Sequence, residues 1–167
     1  MLPDDLPVPA EASRHAAQQC QGQLTKPPGS LGRLEGLAVE LAALQDTEQP
    51  AADPAHVAIF AADHGVVAEN VSAFPQAVTV EMVRNLARGG AAANALAREH
   101  GATLSVVDVG TANQGALPAG VVDARVAAGS ANLARGPALR AEQLQAAIAA
   151  GRAAARGAAE AGARLLM

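Results

Sequence analysis

Leucines at positions 31, 34, 37, 41 and 44 recur at intervals of three and four, which sets them on one stripe and predicts a helix from Ser30 to Gln45. Ser30 is its expected N-cap, reached through the turn Lys26-Pro27-Pro28-Gly29. Before it, Glu11 to Gly22 reads as a shorter helix, and after it Gln49 to Pro54 reads as a linker. The period then changes. His56 to Ala62 (HVAIFAA) and Thr103 to Val107 (TLSVV) are short continuous apolar runs, the pattern of strands covered on both faces of a parallel sheet. Between them, Thr79 to His100 carries the apolar positions of one helix, weakened at Gly89-Gly90, so the whole predicts β-loop-α-β with a right-handed crossover. A third strand is expected within Gly120 to Val126, and one Ala-rich helix from Ala141 to Met167. Gly151, Gly157 and Gly162 each cost that helix about 1 kcal/mol relative to alanine, which predicts a face where another backbone comes close. No capping residue follows, so the chain reads as cut inside its last helix. The fold class is α/β, with an N-terminal helical segment over residues 1–48 and a sheet domain begun by residues 53–167.

Composition narrows the core. Half the residues are hydrophobic but only Phe60 and Phe74 are aromatic, so the interior is built from Ala, Val and Leu at close spacing. At 167 residues, folding buries roughly 70% of the extended-chain surface, enough for one ordinary domain. A formal charge of −4 with Lys26 as the only lysine gives no basic field for nucleic acid. The start MLPDDLPVPA is acidic and Pro-rich, unlike a secretory signal, and Arg152, Arg156, Glu160 and Arg164 interrupt the Ala-rich tail, so no membrane span is expected. Cys20, the single cysteine, has no internal disulfide partner, which fits a reducing, cytoplasmic setting.

Ligands of open parallel sheets sit beyond the carboxyl ends of the strands, and both apolar runs finish at an aspartate. Asp108 reads as the cap of its own turn, whereas Asp63 is open between capping and a site. His64 reads as a loop-orienting hydrogen-bond partner, because none of the four histidines, His15, His56, His64 and His100, stands at metal-ligand spacing to another. The connection Val66 to Val78 is longer than the two to six residues usual between strand and helix, and long connections tend to bind something. Its Phe74-Pro75-Gln76 suits the flat face of a heterocycle, with stacking worth ~0.5 to 1.5 kcal/mol beyond burial, or else a plain hydrophobic plug. A base slot is therefore expected at the ends of both strands, roofed by this loop. Gly89-Gly90 and Gly110 to Gly115 could offer backbone N–H groups to a phosphate, although neither is a P-loop or a dinucleotide fingerprint. Lys26 and Arg33 either hold an anion or are simply solvated.

Taken together, LTKPPGSLGRLE (24–35), AADHGVVAENVSAFPQAVT (61–79), GGAAANALA (89–97), VVDVG (106–110) and GSANLARGPAL (129–139) resemble the nicotinate-nucleotide:dimethylbenzimidazole phosphoribosyltransferase family. The resemblance runs from about residue 24 to the end of the chain and covers about half of a family member. It implies a Rossmann-like parallel sheet with flanking helices, a small helical domain to which residues 1–48 contribute, and a homodimer. It implies a reaction in which the benzimidazole nitrogen displaces nicotinate from C1 of the ribose phosphate of nicotinate mononucleotide, giving α-ribazole phosphate for the cobalamin lower ligand, with no metal or redox cofactor. Carried over by position, Ser72, Phe74, Gln76 and Met82 become the wall of the benzimidazole pocket, and Asp63, His64 and Gly65 close the strand end beside it. The family's proton-accepting glutamate and glycine-rich phosphate segment fall beyond Met167, so no catalytic residue is assigned here and the chain alone is expected to be inactive. Arg140 stands where the family often has Ser or Thr as a cap, which predicts a loosely defined start to the last helix. The competing expectation is a non-catalytic α/β module that binds a benzimidazole or purine-like base.

Overall fold

The computed structural model describes residues 8–113 and 115–167, arranged as two compact units, Met1–Ala52 and Asp53–Met167. In the first, α1 (Glu11–Gln23) packs on α2 (Arg33–Gln45) through small side chains, with Ala17, Val39 and Ala42 buried at the contact. The Ala10 N–H donates to the Ala43 carbonyl at 2.9 Å, and the Ser13 hydroxyl donates to Asp46 at 2.8 Å. Arg14 bridges Glu11 and Glu40 across the pair.

The leucine period is helical, as predicted, but the stripe is not the face that packs on α1. Leu31, Leu34, Leu37 and Leu44 are exposed, while Val39, Ala42 and Ala43 on the opposite side are buried. The helix also starts later than Ser30. Gly32, at φ 56° and ψ −128°, and Gly29, at φ 74°, hold backbone conformations that a helix cannot continue through and that L side chains rarely adopt. Ser30 is consequently a turn residue, its N–H donating to the Pro27 carbonyl at 3.1 Å.

The second unit is a four-stranded parallel sheet in the order β3-β2-β1-β4, formed by β1 (Ala55–Ala62), β2 (Thr103–Gly110), β3 (Val121–Asp123) and β4 (Leu165–Leu166). The α/β class and the first two strands are as predicted. Coverage differs between them: β2 buries Val106, Val107 and Asp108, whereas β1 is only half-buried and leaves Phe60 45% exposed. His56 on β1 serves as a cross-strand rung, its two ring nitrogens 2.7 Å from Thr103 Oγ1 and 2.8 Å from Ser105 Oγ. The third strand is shorter than expected, yet the Ala124 and Val126 N–H groups still donate to the Asp108 and Val109 carbonyls at 2.9 and 3.1 Å.

Between β1 and β2 the single predicted helix is two, α3 (Ala77–Ala87) and α4 (Ala92–Glu99), both packed on the sheet. Gly89, at φ 79°, ends α3. A Cβ at Gly90 would stand 2.4 Å from Asn85 Oδ1, so a larger residue there would have to push that side chain aside. Buried Asn94 fastens it, accepting the Ala91 N–H at 3.1 Å and donating to the Leu86 carbonyl at 3.2 Å.

The last helix also departs from the sequence reading. α5 (Ala141–Glu160) begins at a defined position, where the Gln143 side chain accepts the Arg140 N–H at 2.8 Å, and it ends well before Met167. Gly162 at φ 87° closes it in a Schellman motif: its N–H donates to Ala159, and that of Ala163 to Ala158. The chain then turns into β4, where Met167 exchanges backbone hydrogen bonds with β1, its N–H donating to His56 and its carbonyl accepting from Ala58. Gly162 is thus punctuation. A Cβ placed on Gly151 or Gly157 meets nothing within 4 Å, so among the described residues no other backbone packs against them. Among the described residues, no helix is long and apolar enough to cross a membrane.

Candidate functional site

Beyond the end of β1 the chain does not turn straight into a helix. It passes through a short 3₁₀ helix, Gly65–Glu69, reverses at Asn70 (φ 56°), and reaches α3 only at Ala77. The space left between the strand end, this connection and α3 is a cavity of about 520 Å³. Its apolar lining includes Phe60 from β1, Val66 and Val67 from the 3₁₀ helix, Phe74 from the loop, and Met82 and Val83 from α3. Val83 is fully buried as the floor, while Phe74 at the mouth is 69% exposed. Few polar side chains face the cavity, and Ser72 and Gln76 are two of them. Ser72 shapes the loop: its hydroxyl donates to the Phe74 carbonyl at 3.0 Å and accepts the Phe74 N–H at 3.2 Å.

Six of the seven residues singled out from the sequence, Asp63, His64, Ser72, Phe74, Gln76 and Met82, line this one cavity, and Gly65 stands just behind it. The expected position needs one correction. The cavity leans on β1 and α3, and no residue of β2 lines it, because the end of β2 is closed by its own turn. Of the lining residues, Phe60 and Val83 are not singled out by the sequence, whereas Val67 belongs to the loop expected to roof the slot. The apolar run reads Phe60 as part of a strand covered on both faces, and the available signal for a site is its rarity as an aromatic near a strand end.

The Asp63-His64-Gly65 turn is knitted to a distant segment. Asp63 is 5% exposed and accepts the Ala112 N–H on Oδ2 at 2.7 Å. Its backbone carbonyl accepts the Ser130 N–H at 2.9 Å, and the Gly65 N–H donates back to the Ser130 carbonyl at 2.9 Å. His64 Nδ1 lies 3.2 Å from Ser130 Oγ. Gly65 cannot be replaced cheaply, since a Cβ there would stand 2.7 to 2.8 Å from backbone atoms of Ser130, Ala131 and Asn132. Glu69, at the far end of the 3₁₀ helix, is engaged too, accepting from Asn132 Nδ2 at 2.6 Å and Arg135 Nε at 3.1 Å.

Most of the candidate anion-binding groups are already engaged by the protein itself. Gly110 and Thr111 donate their N–H groups to Asp108 Oδ1 at 3.0 and 2.8 Å, Ala112 donates to Asp63, and Gly115 donates to Asn113. Gln114 lies outside the described residues. Gly89 and Gly90 donate to carbonyls of α3. Lys26 pairs with Glu35 at 2.7 Å, and this ammonium together with the Leu31 N–H holds the Glu35 carboxyl below the usual carboxylate range. Beside β3, Arg125 does the same for Asp123 while also donating to the Asn113 carbonyl at 3.0 Å. Among the described residues, no three His, Cys, Asp or Glu side chains gather as a metal site.

Residues 6–167 match a family profile described as phosphoribosyltransferase. The chain is similar to the nicotinate-nucleotide–dimethylbenzimidazole phosphoribosyltransferase of Xanthomonas axonopodis pv. citri (strain 306), at 61% identity over 145 residues, covering 86% of this chain and 41% of that protein. With the enzyme of the same name from Chromobacterium violaceum it shares 57% identity over 157 residues, covering 93% of this chain and 45% of the relative. A solved structure of that name from Thermus thermophilus superposes with a TM-score of 0.86 at 46% identity, covering 94% of this chain and 48% of the other. The chain therefore spans less than half the length of the relatives it matches. With nearly the whole of this chain matched to the profile and the fold shared with a solved relative, the chain belongs to the nicotinate-nucleotide–dimethylbenzimidazole phosphoribosyltransferase family.

Proposed function

We propose that this chain is the N-terminal portion of an enzyme that transfers ribose phosphate from nicotinate mononucleotide to dimethylbenzimidazole, and that the cavity beside β1 is the slot for the incoming base. The observation that carries this reading is the cavity itself. It is apolar, about 520 Å³ in volume, and faced by the chain's only two aromatic rings, Phe60 and Phe74. A flat bicyclic azole is bound in such a slot chiefly by area removed from water, with Ser72 and Gln76 supplying orientation. Asp63, His64 and Gly65 fix the strand end, and Phe74, Gln76 and Met82 form the wall. In the whole enzyme, residues 1–48 contribute to a small helical domain and two copies associate in the cytoplasm.

The same reading makes the chain inactive by itself. Displacement at C1 needs a carboxylate to take the azole proton and a cradle that holds the phosphate in line. Of the carboxylates at or beside the cavity, Asp63 accepts from Ala112, Glu69 from Asn132 and Arg135, and Glu81 pairs with Arg84. The backbone donors of Gly110, Thr111, Ala112 and Gly115 are all engaged as well. The chain should therefore bind dimethylbenzimidazole in a calorimeter, and Phe74→Ala should weaken that binding by about 1 kcal/mol or more. Equal affinity of the variant would remove the base from this cavity. Incubated with nicotinate mononucleotide and dimethylbenzimidazole, the chain should yield no α-ribazole phosphate by chromatography until the remaining half of a relative is supplied. Turnover by the chain alone would place the proton acceptor within these residues.

A further inference from the structure

Residues 129–138 line no part of the cavity, yet they are fastened along the segment that does. The fastening has two ends. At the first, Ser130 is bonded to both Asp63 and Gly65 through the backbone, and Gly129, at φ 89°, approaches so closely that a Cβ would lie 3.2 Å from the Asp63 carbonyl oxygen. At the second, Glu69 receives Asn132 Nδ2 at 2.6 Å and Arg135 Nε at 3.1 Å on one carboxylate oxygen. The loop braces itself between these ends: Asn132 Oδ1 accepts the Ala134 N–H at 3.0 Å, and the Ala131 N–H donates to the Ala138 carbonyl at 2.8 Å. Val66 and Val67, the wall residues, sit between the two anchor points.

The anchors differ in kind. The Ser130 end is backbone to backbone and insensitive to ionic conditions, whereas the Glu69 end is charge-assisted and exposed, with the Arg135 and Glu69 side chains 74% and 36% accessible. Contacts of that second kind weaken as salt rises. A short 3₁₀ helix held at one end only has few hydrogen bonds of its own to keep its position, and at its flanks the Val67 N–H donates to the His64 carbonyl at 3.1 Å and the Asn70 N–H to the Val67 carbonyl at 3.0 Å.

We propose that Asn132 and Arg135, acting through Glu69 and touching no ligand, are positioning residues that set the base affinity of the cavity, so that binding of an uncharged base depends on ionic strength. This rests on the reading of the cavity as a slot for a benzimidazole. A neutral ligand has no charge of its own to be screened, and any direct effect of salt on an apolar ring is common to all variants. A difference in salt dependence between variants therefore isolates the clasp.

The test is calorimetric titration of the 167-residue chain with dimethylbenzimidazole at pH 8, in low salt and in 0.5 M sodium chloride, for the unmodified chain, Glu69→Gln and Arg135→Ala. Loss of the ion pair should weaken binding roughly two- to five-fold at low salt, the range of an exposed pair, and the variants should show a flatter salt response. The reversed pair, Glu69→Arg with Arg135→Glu, should recover part of the loss. Hydrogen exchange without ligand supplies a second reading: amides of Val66 to Asn70 should exchange faster in Glu69→Gln while those of β1 do not change. Equal affinity and equal salt response in all variants overturn the proposal even if exchange rises. Absence of azole binding by the unmodified chain overturns the slot reading and this proposal with it, whereas binding without a variant effect overturns the proposal alone.

Discussion

The ends of β1 and β2 carry the same signature, an apolar run closed by Asp-x-Gly, and they do opposite things with it. At β2, Asp108 is 0% exposed and turns onto its own successors, accepting the N–H groups of Gly110 and Thr111 and the Thr111 hydroxyl, the last at 2.6 Å. At β1, Asp63 reaches across the sheet to Ala112, and the residues after it are bonded to a distant segment at Ser130. A carboxylate supplied with local donors closes the strand end and leaves no room for a ligand. One supplied with remote donors leaves the following chain free to swing out, and the cavity forms in the gap. The motif marks a strand end; the source of its hydrogen-bond donors decides whether that end can be a site.

The sharpest way to break this contrast is at the glycines. Gly65→Ala drives a methyl group into three backbone atoms that cannot relax as a flexible side chain would, so a loss of roughly 3 kcal/mol or more is expected. Gly110→Ala meets the Ala127 carbonyl oxygen at 3.2 Å and otherwise only ordinary van der Waals contacts, and should cost clearly less. Urea unfolding of both variants checks the order, and equal losses would mean that the β1 turn is not held more tightly from outside than the β2 turn. Next come the aspartates. Asp108→Ala strands three buried donors, for roughly 2 to 3 kcal/mol, while Asp63→Ala strands one, for roughly 1 kcal/mol. The Asp63 variant should also lose base affinity, which the Asp108 variant should keep wherever it remains folded.

The smallest effect serves as a control in the other compact unit. Glu35 is held below its ordinary value by Lys26 and the Leu31 N–H, so its stabilising share is complete above the unfolded carboxylate value near 4.3 and is lost as pH falls through the lower folded value. Thermal unfolding between pH 6 and pH 2 should show this as a small acid-side decline that Glu35→Gln flattens. Neither glycine variant should alter it.

What the sequence disclosed follows the range of the interactions involved. Helix periods and apolar strand runs depend on neighbours a few residues apart, and α1, α2, β1 and β2 were legible for that reason. Asp108 was legible as a cap because every donor it uses lies within three positions. Misreadings arose where backbone conformation or distant partners decided. Gly32 delayed α2, Gly89 and Gly90 divided one helix into two, and Gly162 ended α5 so that Leu165 and Leu166 could join the sheet. The leucine stripe identified a helix but could not show that alanines on the reverse face make the contact with α1. For the candidate site, the loop and α3 positions were reached through family resemblance, and the clasp of Asn132 and Arg135 on Glu69 had no local signal, since it joins residues more than sixty positions apart.

The return of Met167 to the edge of His56 has a consequence for the birth of the protein. β1 is the first strand to leave the ribosome and lies inside the sheet, yet one flank is completed only when β2 emerges and the other only when Leu165 and Leu166 follow α5. Pairings of such long sequence separation form slowly, because loop-closure entropy is lost before the ladder is gained. Until then the apolar run His56 to Ala62 presents unpaired backbone on both sides, the kind of edge that other nascent chains can join. Of the described strands, β4 is therefore the last to pair with β1, and it supplies the second flank.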